Sequence, residues 1–180
     1  MGKLIKLRGE IMKRRIKNKL KKKYEQELVG AIYEDNYERA KRLLRSNLDV
    51  NYKDDDGWSP IHWAAQECRM QIIRLLLLKG ADINDKDNEG FSPLYQAASE
   101  GHIELVEFLL DNGAEIDIQS IDGTTPLIIA SCYGNLETVE YLVERGADIN
   151  IKDDEGNNAL SFAEKYGNKQ VALFLKESIS

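Results

Sequence analysis

Asp85, Asp87, Glu89 and Gly90, inside the stretch DINDKDNEGFSP (82–93), have the residue types and spacing that open a calcium loop. Alternating carboxylates can supply hard oxygen ligands, and a glycine lets the chain turn sharply between them. Such a loop also needs Asp or Asn at its fifth position and a bidentate Glu at its twelfth. Counted from Asp85, those positions hold Glu89 and Gln96. The stretch also recurs as DVNYKDDDGWSP (49–60), EIDIQSIDGTTP (115–126) and DINIKDDEGNNA (148–159), with marker glycines Gly57, Gly90, Gly123 and Gly156 spaced 33 residues apart. The copy at Ser120 has lost the first acidic positions. A feature that returns at a fixed period belongs first to the architecture. The expectation is an acidic turn, with no metal.

Other reactive side chains are few. His62 and His102 are the histidines, and neither pattern sets a nucleophile or an acid beside them. No Ser-His-Asp grouping, metal-ligand cluster or phosphate loop is legible. The chain is therefore expected to be no enzyme, to carry no cofactor and to act on no small-molecule substrate. Cys68 and Cys132 show no CxxC spacing, which suits a reducing, intracellular compartment. They lie two repeats apart, and helices packed about 8–10 Å apart hold them beyond disulfide reach.

The elements that carry these residues follow from the repeat. Ser59-Pro60, Ser92-Pro93 and Thr125-Pro126 each start a short helix, with a hydroxyl at the N-cap and proline where an N–H would be orphaned. Ala64-Ala65, Ala97-Ala98 and Ala130-Ser131 let neighbouring helices approach. Gly101 and Gly134 break the chain, and Cys68 occupies the equivalent slot. A second helix follows, with apolar residues Met70, Ile73, Leu76 and Leu77; Ile103, Val106, Leu109 and Leu110; and Leu136, Val139, Leu142 and Val143. It ends at Gly80, Gly113 and Gly146.

SPIHWAAQECRMQIIRLLLLKGADIN, SPLYQAASEGHIELVEFLLDNGAEID and TPLIIASCYGNLETVEYLVERGADIN together resemble the ankyrin repeat family, over roughly residues 24–180. The resemblance implies an all-α solenoid of stacked helix-turn-helix units joined by β-turn or hairpin loops. The divisions are a basic N-terminal segment 1–23; an N-terminal capping repeat 24–56, with Asn47 in place of the helix-ending glycine; full repeats 57–89, 90–122 and 123–155; and a C-terminal capping repeat 156–180. Lys169 and Lys176 replace apolar residues in the last copy, as a solvated outer face requires. The array is expected to be complete and monomeric.

The resemblance also implies a protein-interaction module. Hairpin tips and first-helix faces of such stacks carry contacts. Carried onto this chain, the positions are Asp55, Asp56, Trp58, Gln66 and Glu67; then Asn88, Glu89, Phe91, Ser99 and Glu100; then Ile121, Asp122, Thr124, Cys132 and Tyr133; and finally Asp154, Glu155, Asn157, Lys165 and Tyr166. Eight carboxylates surround Trp58, Phe91, Tyr133 and Tyr166. Aromatic anchors among carboxylates favour a basic protein or peptide on the concave face.

The net charge of −6 divides unevenly. Residues 1–23 hold eleven Lys and Arg against Glu10, a charge of +10; residues 24–180 carry −16. Within 1–23, Met12, Ile16 and Leu20, followed by Tyr24, recur every fourth residue, the spacing of an amphipathic helix. This segment leaves other roles open: a solvated tail, an adaptor for nucleic acid or an anionic membrane, a helix packed on the first repeat, or a visitor to the acidic stack. Cytoplasmic residence is expected, with nuclear entry through the basic segment as the other destination. No apolar run approaches a membrane span.

Overall fold

Hydroxyl and amide side chains start most first helices of the repeats in the computed structural model, which describes residues 22–23, 25–45 and 48–179. The Met12, Ile16, Leu20 and Tyr24 pattern, residues 1–21 and Asn47 lie outside them. Ser92 Oγ accepts from Tyr95 N at 3.1 Å and Thr125 Oγ1 from Ile128 N at 3.2 Å. Asn158 does the same for Ser161 N at 3.0 Å, so a fourth first-helix begins without a Ser/Thr-Pro pair. At Ser59 the imidazole of His62 folds back instead, and its Nδ1 accepts from Ser59 N at 3.2 Å.

Helix α1 has described residues 22–23 and 25–33. It is followed by α2 (Tyr37–Leu43), α3 (Pro60–Gln66), α4 (Met70–Leu78), α5 (Pro93–Glu100), α6 (Ile103–Asp111), α7 (Pro126–Tyr133), α8 (Leu136–Glu144), α9 (Ala159–Lys165) and α10 (Lys169–Ile179). No strand occurs among the described residues. The first helices α3, α5, α7 and α9 stack in order, and each packs on the second helix of its own repeat. In the outer layer α2 meets α4, α6 meets α8 and α8 meets α10. Ala64, Ala65, Ala97, Ala98, Ala130 and Ser131 are all fully buried, so small side chains do set the spacing of the first-helix layer.

The apolar face of the second helices differs from its expected register. Ile72, Leu105 and Thr138 are buried beside Ile73, Val106 and Val139. Leu77, Leu110 and Val143 are only half-buried. Packing against a first helix and a neighbouring second helix widens the buried stripe towards the helix start. Lys169 and Lys176 are exposed, and Lys176 pairs with Glu164 at 2.7 Å.

Each repeat makes its break in the same left-handed conformation. Asp35, Cys68, Gly101, Gly134 and Gly167 have φ of 50°, 52°, 72°, 76° and 74°. The second helices end with the overlapping bonds of a Schellman turn; after α4, Ala81 N reaches Leu76 O at 3.0 Å and Gly80 N reaches Leu77 O at 3.0 Å.

Candidate protein-binding groove

The acidic turns are built from within. Asp54 Oδ1 accepts from Asp56 N and Trp58 N at 3.1 and 2.9 Å. Asp87 Oδ1 accepts from Glu89 N and Phe91 N, both at 2.9 Å, and Asp153 Oδ1 from Glu155 N and Asn157 N at 3.0 and 2.7 Å. In the third turn Ser120 holds that place, and Asp122 accepts from both Ser120 Oγ and Thr124 N. Burial alone would raise the Asp122 carboxyl, but these hydrogen bonds hold it below its ordinary value. One carboxylate per turn therefore closes the backbone and is committed to it. Successive tips are tied by single backbone bonds: Asn88 N to Asp56 O, Ile121 N to Glu89 O, and Asp154 N to Asp122 O, at 3.2, 2.9 and 2.9 Å.

His62 is structural. Its ring is buried; Nδ1 accepts from Ser59 N, so Nε2 carries the hydrogen and donates to Phe91 O at 3.0 Å. Burial holds its pKa below the ordinary value despite that bond and the nearby Asp85 and Asp87. Asp85 faces Lys53, with Oδ1 2.7 Å from Nζ. Its buried Oδ2 makes no hydrogen bond and lies 3.8 Å from His62 Nδ1. His102 is the N-cap residue of α6.

A groove of about 610 Å³ runs between the tips that carry Trp58 and Phe91 and the first helices α3, α5 and α7. Its walls include Asp56, Trp58, Glu89, Phe91, Glu100 and Tyr133, which the sequence had singled out. They also include Trp63, Tyr95, Gln96 and Ile129, which it had not. No Lys, Arg or His lines it among the described residues. The rings pack in pairs: Trp58 on Trp63 with centroids 4.5 Å apart, and Phe91 stacked on Tyr95 at 4.2 Å and 11°. Tyr33 extends the first pair, 5.4 Å from Trp63. Trp63 Nε1 donates to Asp54 Oδ2 at 3.1 Å, which fixes the indole. Burial pushes the Tyr95 hydroxyl well above its usual range, so it stays a neutral donor.

The four aromatic residues differ in exposure and in place. Trp58 and Phe91 are half-buried, because each leans on the next ring of its own first helix. Tyr133 and Tyr166, 65 % and 56 % exposed, do project into solvent. The four rings also form no single ladder. Trp58 and Phe91 are equivalent tip residues, whereas Tyr133 and Tyr166 are equivalent helix-end residues, and only the first three line the groove.

The remaining expected residues lie apart. Asp55 belongs to a neighbouring recess of about 460 Å³ that contains Lys22, Glu25, Asp54 and the other side of Trp63. Glu67 pairs with Arg69 at 3.3 Å. Asp122, Asp154 and Glu155 are exposed at the later tips, and Tyr166 stacks on Phe162 with Lys165 near both rings. Cys68 and Cys132 are free thiols, each raised above its ordinary pKa by burial.

Sequence reading also missed the brackets between repeats. Asn135 Nδ2 donates to Ala98 O and Ser99 O, both at 2.9 Å. Asn168 Nδ2 donates to Ser131 O and Cys132 O at 2.9 and 2.7 Å, and Arg69 reaches Ile32 O and Tyr33 O at 3.2 and 3.3 Å. These side chains satisfy the open carbonyls at the end of the preceding repeat's first helix. The signal was present, since each residue directly follows a left-handed break.

A family model described as ankyrin repeats (3 copies) matches residues 28–120 and residues 112–180. Stacked two-helix units, a fixed 33-residue register, tips tied to one another and a family match across nearly all the described residues agree: the chain belongs to the ankyrin repeat family.

Proposed function

We propose that the groove binds an extended, basic segment of a partner protein and that the chain works as a non-catalytic, monomeric interaction module. Repeats of this family are generally protein–protein interaction modules. One observation carries the choice of partner: the groove joins five aromatic side chains, Trp58, Trp63, Phe91, Tyr95 and Tyr133, to carboxylates, with no cation lining it among the described residues. Ring faces attract ammonium and guanidinium groups and bury their aliphatic stems. Asp56, Glu89 and Glu100 steer a cationic segment inward and select against acidic ones. The two free thiols favour a reducing compartment, cytoplasm or nucleus.

Affinity capture from lysate supplies the partner, and surface plasmon resonance at two salt concentrations measures it. Tyr133→Ala is the cleanest variant, because its ring is mostly exposed; it should weaken binding by about 2 kcal/mol if it is an anchor. Trp58→Ala should do the same, with some loss of stability through Trp63. Charge reversal at Asp56 and Glu89 should slow association, and added salt should mimic it; Asp122, beyond the groove, should contribute less. Leu78, 83 % exposed on α4, is the control. Binding that survives Tyr133→Ala and fails with Leu78→Ala would put the interface on the other layer.

The charge of +10 on residues 1–23 supports a second reading, an adaptor for nucleic acid or an anionic membrane. Such binding would weaken steeply with salt. It would persist in Tyr133→Ala.

A further inference from the structure

Resting on the reading of the groove as a site for cationic polypeptide, we propose that residues 1–21 of this same chain occupy it in cis and compete with the partner. These residues carry nine Lys and Arg against Glu10, and Ile11, Met12, Ile16 and Leu20 lie among those charges. That is the chemistry the groove selects: cations for Asp56, Glu89 and Glu100, and apolar side chains for the rings. The place where the segment joins the described fold matters equally. Lys22 lies in the recess that holds Asp54 and Asp55, and Trp63 also lines that recess. Trp63 is also a wall of the groove, so Lys22, the residue that follows the segment, stands beside the groove's edge.

Reach sets no obstacle. Twenty-one extended residues span about 70 Å, while three repeats at helix-packing distances span about 20–30 Å. A tether of this length holds the segment at an effective concentration on the order of 1 mM. Contacts too weak to matter between separate molecules are then populated within one. An incoming basic partner meets an occupied groove, and its apparent affinity falls by the fraction of chains in which the groove is free.

The two tryptophans of the protein, Trp58 and Trp63, both line the groove, so their emission reports its occupancy. The experiment compares the full chain with a full-length variant in which Lys13, Arg14, Arg15, Lys17 and Lys19 are replaced by Gln. An octa-arginine peptide is the probe, titrated at low salt and at about 0.5 M salt. A third chain, Glu89→Lys, checks that the probe uses the groove. The expected result is about tenfold tighter probe binding by the five-Gln variant at low salt, with the gap closing at high salt. Without the probe, wild-type emission should shift as salt rises, and that of the variant should not. Equal affinities with the same salt response in both chains overturn cis occupancy and leave the groove reading standing. Probe binding unaffected by Glu89→Lys, or absent from wild type and the five-Gln variant alike, overturns the groove reading itself and this inference with it.

Discussion

Cys68 holds a φ of 52° at the place where Gly101 and Gly134 hold 72° and 76°, and a side chain is strained there whatever space surrounds it. Asp35 shares the strain at 50°. Cys68→Gly should therefore raise stability by about 1 kcal/mol. Asp35→Gly should gain less, because Asp tolerates the left-handed region better than most residues. Equilibrium urea unfolding checks both. A midpoint for Cys68→Gly at or below wild type would mean that the thiol's packing outweighs the backbone strain. The break at Cys68 could be anticipated by alignment with the glycines. Asp35 could have been placed by counting back one period, but no glycine marks that position and the first repeat is the least regular.

Between elements, one position joins each outer loop to the next. Asn51 Nδ2 donates to Gly80 O at 3.0 Å while its Oδ1 accepts from Asp82 N at 3.0 Å. Asn84 repeats this with Gly113 O and Glu115 N. Asp117 stands at the third such place and accepts from Asp148 N at 3.1 Å, but an ionised carboxylate has no hydrogen for Gly146 O. Burial raises its pKa above the ordinary 3.8; the Asp148 N–H bond opposes that and the Asp148 charge adds to it. A folded-state pKa above the unfolded one means that the ionised form weighs against folding. That burden is absent below the unfolded pKa and complete above the folded pKa. Asp117→Asn should thus stabilise the stack by about 1 kcal/mol at pH 7, and its advantage should shrink as the pH falls towards 4. Paired urea titrations at the two pH values measure the difference. An advantage that stays constant or grows at low pH would show that the carboxyl's ionisation is not what Asn relieves.

For the whole molecule, the fully buried large side chains, among them Ile72, Leu76, Leu94, Leu105, Leu109, Leu127 and Leu142, concentrate in the three full repeats. Among the described residues, the first and last repeats have a neighbouring repeat on one side only. Amides of α5, α6, α7 and α8 should therefore exchange about tenfold or more slowly than those of α2 and α10. Uniform protection in a hydrogen-exchange experiment would instead mean a single cooperative unit. The architecture was legible because its signals are local: a capping hydroxyl, a proline, a glycine and an apolar spacing, each repeated in register. The groove was legible only in part. Trp58, Phe91 and Tyr133 announced themselves as aromatic residues outside the helical apolar face. Trp63 and Tyr95 read as ordinary first-helix residues, since nothing local shows which ring will lean on which. The brackets from Arg69, Asn135 and Asn168 span 36 and 37 residues, so their partners emerge only once the repeats are stacked.

Those brackets bear on the protein's genetic history. Asn135 and Asn168 grip the repeat directly before them, Lys86 Nζ and Asn88 Nδ2 reach carbonyls 33 residues away, and each tip is tied to its neighbour by the same backbone bond. An in-frame duplication of one such unit would present a matching donor and acceptor at both new joints. Selection could then lengthen the chain by whole repeats, widening the groove at each step, without first inventing a new junction.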